Sequence, residues 1–117
     1  MNRITPPPKL EGVPCSIVAV VCALKGNVYV GDYVQNLKHN GYATLAVANK
    51  FIRANLPIKR RVDFKRGERP QLKDLHFDGI AIVCVLGHYI FLDHEDYWSF
   101  FDNEDDEVIT VWEIKGD

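Results

Sequence analysis

The stretch 79–93, Gly-Ile-Ala-Ile-Val-Cys-Val-Leu-Gly-His-Tyr-Ile-Phe-Leu-Asp, constrains this chain more than any other. Its first half is apolar at both alternate sets of positions, the pattern of a strand covered on both faces rather than an edge strand facing water. Gly87 permits a tight reversal, and His88 then opens a second strand. An imidazole at the rim of a buried hairpin is a place where proton chemistry can be done. The rest of the chain is expected to be arranged around that hairpin.

The 117 residues, 47% of them hydrophobic, supply one domain with one core. Three successive prolines and Gly12 make residues 1–13 an extended arm, because proline removes the N–H that a helix or sheet uses; 14–117 is then a single domain. A formal net charge of -2 gives no global pull towards nucleic acid or an anionic membrane, so neither is an expected partner. The charges are segregated all the same. Seven of the fourteen basic residues are Lys59, Arg60, Arg61, Lys65, Arg66, Arg69 and Lys73, and eight of the sixteen acidic ones lie within 93–107. That pattern marks either two faces of one molecule or two strands pairing across a sheet. Three cysteines cannot pair fully within one monomer, which argues for a reducing compartment. The first residues carry no apolar export segment, and no apolar run approaches the roughly 18 residues that cross a bilayer. A cytoplasmic location is expected, or a host cytoplasm or virion if a phage encodes the chain.

Pro14 suits the first turn of a helix, and the run Cys-Ser-Ile-Val-Ala-Val-Val-Cys-Ala-Leu over 15–24 reads as a buried helix stopped by Lys25-Gly26, with a strand as the alternative that Ile17, Val18, Val20 and Val21 allow. A second helix is expected over 28–40 and a third over 43–54, with Leu45, Val47, Ala48, Phe51 and Ile52 as its buried stripe. Residues 58–64 alternate loosely between apolar and basic, 66–70 form a turn, and 71–75 hold one helical turn at most. Strands follow over 79–86, 88–93 and 108–114, with a short one near 97–101. Helices first and a mostly antiparallel sheet after them is an α+β pattern.

Cys15 is the natural nucleophile of such a chain, because a thiol in the first helical turn feels free N–H groups and the positive end of the macrodipole. Cys22 and Cys84 read as small core hydrophobes. His88 is the best general base, since it opens a strand at the mouth of the hairpin. The group that would orient its imidazole is open among Asp93, Ser99, Asp102 and Asn103: Asp93 is too far along the same strand, while Ser99 or Asp102 on the returning segment could come back to its level. Asp93-His94-Glu95-Asp96 gathers ligand types without zinc or calcium spacing, and no phosphate-cradling glycine pattern is present, so no metal and no cofactor are expected. The basic run around Phe64 reads as an exposed strand that keeps an edge soluble, and Trp98, Phe100, Phe101 and Trp112 as core and sheet-face residues.

The order Pro14-Cys15 opening an apolar helix, Gly87-His88 opening a strand, Tyr97-Trp-Ser-Phe-Phe-Asp102 after it and Val108-Ile-Thr-Val-Trp112 closing resembles the small papain-like cysteine peptidases. It resembles most the short phage-encoded members of that fold, which share an outline with bacterial double-glycine leader peptidases. The resemblance implies a papain-like α+β fold with N-terminal helices packed on the C-terminal sheet. It also implies a Cys15–His88 dyad acting on peptide or isopeptide bonds of a protein or peptide substrate. In this chain Ser99 stands where the family has its orienting aspartate, and Asp102 matches the family's second aspartate. Backbone N–H groups at Cys15 would supply the oxyanion contacts. The alternative the resemblance leaves is a degenerate member that binds a partner without cleaving it.

Overall fold

A computed structural model of the chain describes residues 2–5, 53, 56–86 and 88–115. They form one six-stranded mixed sheet from β1 (Asn2–Ile4), β2 (Ile58–Asp63), β3 (Ile80–Val85), β4 (His88–Asp93), β5 (Asp96–Trp98) and β6 (Val108–Ile114), in the order β1-β5-β4-β3-β6-β2. Only β1 against β5 is parallel; the other neighbours are antiparallel.

The α+β, papain-like architecture expected from the sequence is therefore corrected. Among the described residues the fold is a mixed β-sheet, with a 3-10 turn at Leu72–Asp74 and helical backbone at Arg53. The parallel edge strand β1 makes the sheet mixed, and the pairing of the first residues with 96–98 is not carried by local periodicity. The helices expected over 15–24, 28–40 and 43–54 lie outside the described residues, Arg53 excepted. The first residues of the expected extended arm form the edge strand β1: Asn2 N–H donates to the carbonyl of Glu95, and Ile4 accepts from Ser99 N–H.

β3 is buried at all six positions, as its two-sided apolar pattern requires, because β4 and β6 flank it and both sheet faces are covered. Side chains alternate between those faces. On one, Ala81, Val83 and Val85 meet Ile90 and Leu92 of β4, Tyr97 of β5 and Val111 of β6. Two connections close over this face. The first, between β2 and β3, contributes Leu72, Leu75 and Phe77 to the core. The second, between β5 and β6, is tied to it where Leu72 N–H donates to Asp106 carbonyl and Lys73 N–H to Glu104 carbonyl, at 2.9 and 3.0 Å. On the opposite face Ile82 stands between Phe91 and Trp112, all three buried.

β2 ends the sheet and carries the basic run. Arg60 and Lys59 both reach the Glu113 carboxylate on β6, Arg61 pairs with Asp63, and the Arg61 guanidinium lies 4.5 Å from the centre of the Trp112 ring. The acidic stretch does not pair with this strand. Its one ion pair to the basic half is Lys73 with Asp105 at 2.8 Å, among the described residues.

Candidate functional site

The β3–β4 hairpin reverses between Val85 and His88, which stand opposite each other. Gly87 lies outside the described residues. His88 is the exposed first residue of a strand whose next four positions are buried. Alternation puts it on the face of Ile90 and Leu92, at the end of the sheet where covering ceases. Its ring rests against Phe101, with centroids 5.2 Å apart and planes inclined at 34°. No described residue hydrogen-bonds to its nitrogens.

The segment that brings Phe101 there is held from several sides. Ser99 is buried, gives its N–H to Ile4 carbonyl, and its hydroxyl both donates to the Asn103 side-chain oxygen and accepts from Phe101 N–H at 3.2 Å. Asn103, also buried, passes its amide hydrogen to Asp106 at 2.7 Å. Arg3 on β1 donates to Phe100 carbonyl at 3.0 Å. A short serine turn of this kind fixes the backbone on both sides of Phe101.

The two residues expected to orient the imidazole have their polar atoms engaged elsewhere. Ser99 reaches His88 only through Phe101. The Asp102 carboxylate accepts from the Tyr97 phenol at 3.3 Å and from Glu104 N–H at 3.1 Å. Burial pushes the Tyr97 phenol above its usual value, and the neighbouring Asp102 charge adds to that. Cys15 and Cys22 lie outside the described residues. Cys84 is buried mid-strand with its Sγ 3.6 Å from Val85 carbonyl, and burial pushes its thiol up, the opposite of an activated nucleophile.

An open groove of about 570 Å³ lies at the other end of the hairpin, between residues 73–78 and the β4–β5 turn. His76 and His94 line it together with Lys73, Asp78 and Glu95. His94 sits at φ 56, uncommon for a residue with a side chain, and its Nδ1 lies 2.7 Å from Asp93. No cluster of three or more candidate ligands for a metal ion occurs among the described residues, and no helix there is long and apolar enough to cross a membrane.

Phe101 and Leu86 are more exposed than their sequence pattern implies. Phe101 was counted with the core aromatics and is 58% exposed; Leu86 was the end of a buried strand and is 81% exposed. The signal for Phe101 was its place between Ser99 and Asn103, two turn-forming side chains that break the strand after Trp98. No family model, curated protein or solved structure matches the chain.

Proposed function

We propose that the chain is a thiol hydrolase acting on peptide or isopeptide bonds, with Cys15 as nucleophile and His88 as general base. The observation that supports this is the setting of His88. Its imidazole stands at the open end of a rigid central strand, backed by one aromatic ring, with nitrogens that no described residue occupies. A base on a scaffold strand is held more closely than one on a loop. In the reaction the Cys15 thiol gives its proton to His88 as sulfur bonds to the carbonyl carbon. The C–N bond then breaks as the imidazolium returns that proton to the leaving amine. Water, deprotonated by His88, cleaves the thioester and restores the thiol.

A second reading, a binding module for a partner protein in a virion or an infected host, is favoured by a separate observation. Asp102 and Ser99 are both committed to other partners, so no described carboxylate or hydroxyl holds the His88 tautomer. Iodoacetamide titration across pH, with the modified thiol mapped, separates the two. The hydrolase reading expects Cys15 to react below the pH at which a free thiol does, and to lose that advantage in His88→Ala. Reaction of Cys15 only in the ordinary thiol range, unchanged in His88→Ala, supports the binding module.

A further inference from the structure

We propose that the hairpin tip around His88 is a docking surface for a cationic peptide segment bearing an apolar side chain. The side chain would seat on Leu86 and Phe101, with the basic groups facing the acidic loop at residues 102–107. The proposal rests on the hydrolase reading, for which it names the substrate class.

Leu86 and Phe101 are the two large hydrophobics left exposed among the described residues, at 81% and 58%. Single exposed apolar residues need no explanation. Both lie beside one residue: Leu86 is two positions before His88 at the hairpin tip, and the Phe101 ring lies against the imidazole itself. Phe101 is moreover presented by a built turn. The buried Ser99 hydroxyl fixes its N–H, and Asn103 fixes Ser99. The cost of keeping an aromatic ring in water at the end of such a turn is offset when a partner covers it.

Charge decides what that partner carries. The loop continuing from Phe101 holds Asp102, Glu104, Asp105, Asp106 and Glu107. Lys73 neutralises Asp105, and Asp106 takes the Asn103 amide. Asp102, Glu104 and Glu107 have no cation within salt-bridge distance among the described residues. The basic strand β2 does not serve them, since its cations are turned to Glu113 and Asp63. Among the described residues the acidic groups of this loop outnumber the cations that meet them, and a negative field beside an apolar patch attracts a basic, apolar segment and repels an acidic one.

Fluorescence anisotropy on the full chain tests this with a fluorescein-labelled peptide of alternating leucine and lysine, and a counterpart carrying glutamate for lysine. The lysine peptide is expected to bind at least about tenfold more tightly, and Leu86→Ser and Phe101→Ser each to weaken it about tenfold. Glu107→Gln should weaken it less and flatten its salt dependence. Leu86→Ser alters a side chain exposed at a turn, so circular dichroism is expected to be unchanged in that variant. Equal binding of the two peptides overturns the proposal, as does binding indifferent to both apolar substitutions. Self-association abolished by Phe101→Ser also overturns it, by assigning the patch to a second copy of the chain. Binding is read without bond cleavage. Failure of the thiol titration with selective binding intact therefore removes the hydrolase reading alone, and loss of selective binding with an activated Cys15 removes this proposal alone.

Discussion

The His88 and Phe101 rings lie 5.2 Å apart, so the imidazole that opens a core strand is backed by a side chain from the loop after β5, thirteen positions later. Replacing Phe101 with alanine removes that backing. The His88 ring-proton resonances are expected to move while the amide resonances of Ile90 and Leu92 stay in place. Unchanged ring protons would show that the two rings do not meet in solution.

Asn103 is the piece that makes the turn rigid. Asn103→Leu keeps the size of a buried side chain but takes the acceptor from the Ser99 hydroxyl and the amide hydrogen from Asp106. Leaving buried polar groups unmatched costs about 1–3 kcal/mol. Urea denaturation should register a loss of that order.

The sheet centre is the least tolerant region. Ile82 is fully buried between Phe91 and Trp112, and Ile82→Ala is expected to cost about 2–5 kcal/mol from lost transfer energy and the cavity left behind. Lys65→Ala, at an exposed position beyond β2, should stay within about 0.5 kcal/mol of the parent chain. Thermal or urea unfolding that ranks the two equally would contradict the central place of β3.

Cys84 gives an internal control for thiol chemistry. Its thiol is raised chiefly by burial and shielded by the strands on either side. Iodoacetamide should leave it unmodified in the folded chain at any pH where the fold persists, and modify it promptly in urea. Fast labelling of Cys84 without denaturant would mean that the β3–β4–β6 centre opens readily.

Across the β2–β6 ladder Thr110 donates its hydroxyl to Asp63 at 2.8 Å, and this bond is the main reason the Asp63 carboxyl sits below its ordinary value, with Arg61 adding to it. A carboxyl lowered in the folded state stabilises the fold above its unfolded value of about 3.8, and that contribution disappears as pH falls through the lower, folded one. Thr110→Val should therefore flatten the acid side of the stability curve below about pH 4, leaving the slope at neutral pH alone. Because Asp63 is largely exposed, the change should be under about 1 kcal/mol. Parent and variant curves that run parallel through the acid range would rule this out.

Much of the sheet was legible before any coordinates. The strands expected over 79–86, 88–93 and 108–114 match β3, β4 and β6 to within a residue. The helical turn expected within 71–75 is the 3-10 turn at Leu72–Asp74. These stretches were readable because a two-sided apolar run, a glycine reversal and a proline-bounded loop each act through the nearest few residues. β1 was not readable: three residues, of which Asn2 and Arg3 carry little strand preference, are too short a signal, and pairing with Asp96, Tyr97 and Trp98 makes them a strand. The α+β expectation failed for a related reason, since composition and periodicity leave the partners of a buried apolar segment open.

By itself, the order of residues determined that a buried hairpin would end in an exposed histidine, because alternation and a glycine turn are local properties of the chain. Tertiary structure alone decided what meets that histidine. The hydroxyl of Ser99 and the carboxylate of Asp102 were drawn to Asn103 and Tyr97, and a phenyl ring came to the imidazole instead. The physical reason is that side-chain hydrogen bonds go to whichever partners the packed connections bring within about 3 Å, and a sequence does not encode those distances one residue at a time.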